Sequence, residues 1–249
     1  MGEKTMKAVG VIPARYGSTR FPGKPLALIH GRPMLAWVID GAKQSRLLSE
    51  ILVATDDQRI AKLAEQNGVR AVMTESALPS GSDRVWAAIQ YMNVDVAVNI
   101  QGDEPLLTGE LLDRLVEPFA EDRGLNMATL GRELRPGDLN SPTTAKIVLN
   151  HRDEALYFSR LPIPYSRVDA PQAGGVCLKH IGLYAYRKDF LAEFCAEPPV
   201  PLEFAEGLEQ LRALYLGARI RVIRVEHESW GVDTPDDVKK IEQILRAKG

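Results

Sequence analysis

Only two of the 249 residues are cysteine, Cys177 and Cys195, which excludes a disulfide-dense scaffold and allows at most one bridge. Neither sign of charge dominates. The 31 Lys and Arg stand against 33 Asp and Glu, a net charge of −2, whereas a general nucleic-acid binder carries a basic surplus. No run approaches the roughly 18 apolar residues of a membrane span. The Met1–Lys7 start has no apolar signal-peptide core behind its charges. Internal repeats and low-complexity tracts are also missing. These absences lead us to expect a reduced, cytoplasmic protein with no nucleic-acid or membrane partner. What remains is an ordinary globular composition, with length enough for one large α/β domain or two small ones.

The apolar pattern alternates between strands and helices. Ala8–Ile12 is a short apolar run ending at Pro13, the mark of a fully buried strand. Pro33–Ala42 reads as a helix with proline at its first position. Ile51–Ala54 is a second strand, and Thr55-Asp56-Asp57 supplies caps for a helix over Arg59–Asn67 that Gly68 stops. Strand Arg70–Met73, helix Ser82–Met92, strand Val94–Ile100 and helix Gly109–Glu121 follow, then strands Met127–Leu130 and Ala145–Leu149. This order predicts an open, mostly parallel sheet covered by helices on both faces. After about residue 131, prolines 136, 142, 162, 164 and 171 break the rhythm until Val176–Tyr186 alternates as a strand. We expect one domain over residues 7–249, with a smaller subdomain inserted at about 131–200. Its apolar edge would serve a homodimer contact or a loop-rich cover over the site. Leu202–Tyr215 has helical spacing with Ala205, Leu208, Leu211 and Tyr215 on one stripe. A strand over Arg219–Val225 and a helix over Pro235–Ala247 close the chain.

Four segments carry candidate chemistry. Pro13–Pro25 places Gly17, Gly23, Arg15 and Lys24 directly after the first strand, where open sheets bind ligands and where a basic, glycine-bearing loop suits polyphosphate. It is not a Walker A loop: five residues separate the glycines, and Pro25 follows Lys24 where a Ser or Thr should hold magnesium. Asn99-Ile-Gln-Gly-Asp-Glu-Pro105 ends another strand at the same crevice, and its Asp103 is either a hard-cation ligand or a turn cap. In Gly231–Asp237, Thr234 reads as N-cap, Pro235 as the first helical position, and Asp236 and Asp237 as first-turn acids. Only Asp233 escapes that structural account. The fourth group is diffuse: Tyr157–Arg160, Lys179–Tyr184 and Leu208–Arg212. Alternation puts His180, Gly182 and Tyr184 on one strand face. A lone histidine there reads first as a hydrogen-bonded structural residue, and Glu209 and Gln210 as solvent-facing.

In combination these segments are specific. Ile-Pro-Ala-Arg-Tyr-Gly-Ser-Thr-Arg-Phe-Pro-Gly-Lys-Pro, Ala-Thr-Asp-Asp, Ser-Gly-Ser-Asp-Arg, Asn-Ile-Gln-Gly-Asp-Glu-Pro, Ala-Leu-Tyr-Phe-Ser-Arg, Lys-His-Ile-Gly-Leu-Tyr, Leu-Glu-Gln-Leu-Arg and Gly-Val-Asp-Thr-Pro run in order from about residue 8 to the end. The chain thereby resembles the 3-deoxy-manno-octulosonate (KDO) cytidylyltransferases. The resemblance implies a Rossmann-like α/β fold of the nucleotide-diphospho-sugar transferase type with an inserted subdomain, a homodimer, and dependence on Mg2+. It implies the reaction of CTP with KDO to give CMP-KDO and pyrophosphate, the step that activates KDO for lipopolysaccharide biosynthesis. By position, Arg15 and Lys24 would contact the triphosphate, and Asp103 and Asp233 would hold magnesium. Arg84 and Gln101 would line the nucleotide and sugar pocket. Arg160, His180, Tyr184, Glu209 and Gln210 would hold the sugar acid, with Arg160 pairing its carboxylate.

Two other classes fit less well. A glycosyltransferase of similar architecture usually holds its metal with Asp-x-Asp at a strand end, and here Gln-Gly-Asp-Glu stands instead. A non-catalytic nucleotide-binding module has no need of two separated carboxylates beside a phosphate loop.

Overall fold

The computed structural model describes residues 6–17, 21–165 and 177–248. Ser18–Arg20 of the first loop, Pro171, and Val176 at the start of the expected strand lie outside them. By contacts the chain divides into two compact units, the first formed by Met1–Val116 with Ser229–Gly249, the second by Glu117–Glu228. The segment expected at 131–200 falls inside the second.

Unit one begins with strand β1 (Ala8–Ala14), a two-stranded ribbon β2 (Leu28–Ile29) and β3 (Arg32–Pro33), and helix α1 (Met34–Ala42). Then come β4 (Leu48–Thr55), α2 (Gln58–Gln66), β5 (Arg70–Met73), α3 (Gly81–Ile89), β6 (Val96–Asn99) and α4 (Gly109–Val116). Within the unit β6, β1, β4 and β5 pair in that order, all parallel. Val9, Val11, Ile12, Leu52, Val53 and Val98 are completely buried, as strands sandwiched between helix layers must be, which is why they read as continuous apolar runs. Caps follow the sequence closely. Asp57 accepts from the Arg59 N–H at 2.8 Å at the head of α2, and Ser80 accepts from the Asp83 N–H at 3.2 Å at the head of α3. Pro33 sits one position earlier than expected, as the N-cap of α1 rather than its first residue.

Unit two contains α5 (Pro118–Glu121), β7 (Met127–Glu133), β8 (Lys146–Leu149), β9 (Ala155–Ser159) and β10 (Cys177–Arg187). It continues through α6 (Lys188–Ala196), α7 (Pro201–Glu206), α8 (Gln210–Tyr215) and β11 (Ile220–Arg224). The pairing is mixed: β11 runs parallel to β7, while β7, β10, β8 and β9 are successively antiparallel. Three expectations need correcting here. The helix expected over Gly109–Glu121 is two, because Pro118 has no amide hydrogen and starts a new turn. The helix expected over Leu202–Tyr215 is also two, because Gly207 takes a left-handed φ of 61° and ends α7. The supposed stripe is therefore split, with Leu208 and Leu211 buried and Tyr215 60 % exposed. Strand β9 and helix α6 were not expected at all. Both cysteines are free thiols. The chain then returns to unit one as α9 (Pro235–Lys248), where Val232 and Ile241 pack with Ile29 and Met34 in one apolar cluster.

Helix α4 is fastened to the loop after α1 at two points one turn apart. A Cβ on Gly109 would overlap the backbone of Gln44 and Ser45, so only glycine permits the approach. Four residues on, the buried Asp113 carboxylate accepts from the Ser45 hydroxyl at 2.5 Å and from the Arg46 and Leu47 amides at 3.0 Å each. Burial by itself would raise the Asp113 pKa, but these donors outweigh it and the net shift is downward from 3.8. A carboxylate with a depressed folded-state pKa adds stability that is full above about pH 4 and is lost as the pH falls further. Asp113→Ala should therefore lower unfolding free energy by about 2–3 kcal/mol in urea titrations near neutral pH. That deficit should shrink in acid, and an equal deficit at both pH values would show that packing alone is lost.

Candidate active site

In unit one, three residues far apart in sequence converge on one point. Lys24 opens a short 3-10 turn, Lys24–Leu26, directly after Gly23, whose φ is 71° and where a Cβ would come within 3.0 Å of the Tyr16 ring. Glycine thus aims Lys24. Its ammonium lies 2.5 Å from an Asp103 carboxylate oxygen and 3.4 Å from one of Asp233. Asp103 is held by the tight turn after β6, where a Cβ on Gly102 would be 3.0 Å from the Pro13 carbonyl. Asp233 is presented just before α9. Its N–H and that of Thr234 both donate to the Asp237 carboxylate, at 3.2 and 3.0 Å, and the Val232 N–H donates to the Asp103 carbonyl at 3.0 Å. Nearby, the Ser229 hydroxyl bonds the carboxylate of Glu104, which is 6 % exposed.

Arg15, Arg84 and Gln101 line a cavity of about 170 Å³ in the same unit, with Pro13, Ser80 and Gly81. Arg15 is exposed at its mouth. Arg84 is only 3 % exposed. It donates through one nitrogen to the Thr74 hydroxyl, while its other terminal nitrogen is 3.7 Å from Asp56 and lacks a hydrogen-bond partner among the described residues. Burial pushes its pKa down, Asp56 opposes this, and the charge of Arg15 adds to it.

In unit two, β10 carries His180 and Tyr184 on one face, as alternation predicts, although the pairing with β7 is bulged between Ile181 and Tyr184. Their rings are 5.4 Å apart, and Phe158 meets His180 edge-on at 5.2 Å. The buried Thr129 hydroxyl lies 3.1 Å from His180 Nε2 and reaches the Ile181 and Leu183 carbonyls at 3.2 and 2.9 Å. A hydroxyl has one proton to give. With that proton on a carbonyl, His180 Nε2–H is the donor and Nδ1 is left as an acceptor. Burial first, then the charge of Arg160, hold the His180 pKa down at about 3. Burial and Glu209 push the Tyr184 phenol far up, and its hydroxyl donates to the Gln210 amide oxygen at 3.2 Å. Gln210 was expected to face solvent. It is 3 % exposed, because the break at Gly207 turns α8 inward, and its Nε2 has no partner among the described residues.

Arg160 follows β9. Its Nε donates to the Glu206 carbonyl at 2.9 Å, and its terminal nitrogens to the carbonyls of Pro142, Thr143 and Gly207 at 3.4 Å each. Its own N–H goes to the Glu206 carboxylate at 2.9 Å. Every guanidinium acceptor is a neutral carbonyl, so among the described residues no carboxylate pairs with it. Sequence reasoning missed these supports, namely Thr129, Glu206, Thr74 and Asp56. Of the four, only Asp56 stood in a quoted motif.

A family model described as cytidylyltransferase matches residues 9–220, and with the site above it defines the class: a nucleotidyltransferase acting on cytidine nucleotides. Among individual proteins, the 3-deoxy-manno-octulosonate cytidylyltransferase of Bdellovibrio bacteriovorus is 58 % identical over 98 % of this chain and 100 % of its own length. That of Geobacter sulfurreducens is 45 % identical over 97 % and 100 %. A solved structure of CMP:2-keto-3-deoxy-manno-octonic acid synthetase complexed with CTP superposes with a TM-score of 0.92 at 41 % identity, covering 98 % of this chain and all of that one. The chain belongs to the 3-deoxy-manno-octulosonate cytidylyltransferase family.

The histidine supplies a test that is independent of activity. With a folded pKa of about 3 against roughly 6.5 unfolded, the unfolded chain takes up the proton first. The ring's contribution to stability is therefore full above about pH 6.5 and is lost as pH falls toward 3. In NMR titrations the His180 imidazole signal, identified by its loss in His180→Asn, should stay at its neutral position between about pH 5 and 8. An inflection near pH 6.5 would mean that the ring is solvated.

Proposed function

We propose that this protein transfers the cytidylyl group of CTP to KDO, releasing pyrophosphate and forming CMP-KDO for lipopolysaccharide synthesis. The observation that carries this reading is the convergence of Lys24, Asp103 and Asp233, together with membership of a family whose named members have that activity.

The anomeric hydroxyl oxygen of KDO forms a bond to the α-phosphorus of CTP as the bond from that phosphorus to the bridging oxygen breaks. Pyrophosphate leaves and the hydroxyl proton goes to solvent. The chemistry asks the protein for alignment and charge compensation rather than a covalent nucleophile. Arg15 and Lys24 supply positive charge for the triphosphate. The cavity beside Arg84 and Gln101, about 170 Å³, is close to the roughly 150 Å³ that holds a six-membered ring, and so suits a pyrimidine base. For the sugar acid, Arg160 offers a guanidinium with no competing carboxylate, suited to a bidentate grip. His180 Nδ1 accepts and Gln210 Nε2 donates to ring hydroxyls, and Tyr184 and Glu209 complete the set.

The donor set also fits a magnesium ion. Asp103 and Asp233 are two oxygen-only ligands aimed at one point, and magnesium takes one or two carboxylates and fills the rest of its shell with water and phosphate oxygens. Bound there, it would neutralise triphosphate charge and favour the leaving pyrophosphate. A homodimer is supported by exposed apolar side chains in unit two, Leu156, Leu161, Tyr165 and Phe204, each more than half exposed, on the edge strand β9, the segment after it, and α7. A cytoplasmic setting is supported by the two free thiols. No helix among the described residues is long and apolar enough to cross a membrane.

Pyrophosphate release should require CTP and KDO together and should be negligible with CTP alone. Asp103→Asn and Asp233→Asn should each lower turnover by about 100-fold or more without loss of fold in circular dichroism. Near-native turnover of either variant at limiting magnesium would remove these carboxylates from the metal site.

A further inference from the structure

Lys146 opens β8, a strand that otherwise reads Ile147-Val148-Leu149, and it is completely buried. An apolar side chain is the cheaper occupant of such a position, since a buried ammonium costs several kcal/mol unless well satisfied. Among the described residues no carboxylate pairs with it. Instead its Nζ lies 2.9 Å from the Ser141 carbonyl, 2.7 Å from that of Thr144 and 2.5 Å from that of Arg160. Three carbonyls take all three N–H groups of an ammonium, one more than a neutral amine has. The geometry therefore calls for the charged form.

The groups it holds are those that frame Arg160. The Pro142 and Thr143 carbonyls, inside the turn that Lys146 grips at Ser141 and Thr144, accept from the Arg160 guanidinium. Lys146 and Arg160 therefore clasp one turn from two sides, and Lys146 also fixes the Arg160 main chain directly. The next carbonyl, that of Ala145, accepts from the His180 N–H at 2.9 Å. A guanidinium gripping a carboxylate needs its plane fixed before the ligand arrives, because a rotation spoils one of two parallel bonds.

We propose that Lys146 is a positioning residue for the sugar acid: it locks the 141–144 turn and the Arg160 backbone so that the guanidinium is presented rigidly to the substrate carboxylate. This rests on the reading of Arg160 given above, and the test separates the two.

KM for KDO, KM for CTP, kcat and melting temperature would be measured for Lys146→Met, Arg160→Lys and the double variant. Lys146→Met should raise KM for KDO about tenfold or more while KM for CTP stays within about twofold. The double variant should be no worse toward KDO than Arg160→Lys alone, since both act through one guanidinium. Should Lys146→Met fail to fold, Lys146→Arg keeps the charge but cannot place three N–H groups on these carbonyls, and the same shift in KM for KDO is expected of it. An unchanged KM for KDO, additive losses in the double variant, or parallel losses of both substrates with a lower melting temperature would each overturn the proposal. If Arg160→Lys raises KM for KDO and Lys146→Met does not, only the role of Lys146 falls. If Arg160→Lys leaves it unchanged, the reading of Arg160 falls and Lys146 with it.

Discussion

Two carboxylates aimed at the same point repel each other, and unit one is built around the lysine that lets them stay there. Lys24 comes from the loop after the first strand, Asp103 from the turn after β6, and Asp233 from the segment before the last helix. At separations of 2.5 and 3.4 Å the attractions to the ammonium, part-buried on the Asp103 side and half exposed on the Asp233 side, offset the repulsion between the two acids. Because Asp233 belongs to a segment that returns after more than a hundred residues spent in the second unit, this contact also ties the two parts of the first unit together. The Val232–Asp103 main-chain bond, the Ser229–Glu104 contact and the apolar cluster around Ile29, Val232 and Ile241 reinforce the same return. Structure and chemistry therefore draw on the same few contacts. The charges that close the unit are the same ones proposed above to meet the triphosphate.

In unit two the cations are satisfied differently. The charged groups of Lys146 and Arg160 are both satisfied by main-chain carbonyls, and among the described residues neither makes an ion pair with a carboxylate. Glu206 contributes its carboxylate to the Ser159 hydroxyl and the Arg160 amide at 2.7 and 2.9 Å and only its carbonyl to the guanidinium. The one ring that would titrate near neutrality, His180, is kept uncharged by burial and by Arg160. The ring therefore stays neutral through moderate changes in pH, and the guanidinium proposed to meet the sugar carboxylate keeps the same neighbour throughout.

The parts of this arrangement legible in the sequence are those governed by local rules. Buried parallel strands show as unbroken apolar runs, and a capping residue such as Asp57 does at its position what short polar side chains do at helix starts. The loop carrying Lys24 and the turn carrying Asp103 were legible because glycines and charges stand directly after strands. Where two rules competed, the weaker signal was lost. The spacing of Leu208, Leu211 and Tyr215 is helical, but the left-handed turn at Gly207 cuts that helix and buries Gln210. Strand β9 was hidden in Tyr157–Arg160, read for its polar chemistry and not for its alternation. Lys146 was illegible for a sharper reason. A lysine in a strand is normally solvated, and nothing in the pattern says that the preceding turn will fold back to offer two carbonyls, at Ser141 and Thr144, while the end of the next strand offers a third at Arg160. The role proposed for Arg160 became readable only through resemblance to a family, since the acceptors of its guanidinium are main-chain carbonyls on other segments.

The same reasoning explains why the fold tolerates polar atoms that it does not satisfy. A buried donor without an acceptor costs roughly 1–3 kcal/mol, a large fraction of the stability of a domain, so such atoms are few in native proteins. Among the described residues, Arg84 in the first unit and Gln210 in the second each keep one buried nitrogen unpartnered, although each side chain is bonded elsewhere, Arg84 to Thr74 and Gln210 to Tyr184. The bonded part fixes the direction of the unbonded part. An apolar residue in either place would relieve the cost, and a freely rotating side chain would find water. What distinguishes both is a donor held still and left open beside groups suited to a ligand. A nucleotide or sugar oxygen that completes such a donor removes an existing penalty without having to order the side chain on arrival, and binding is correspondingly cheaper in entropy.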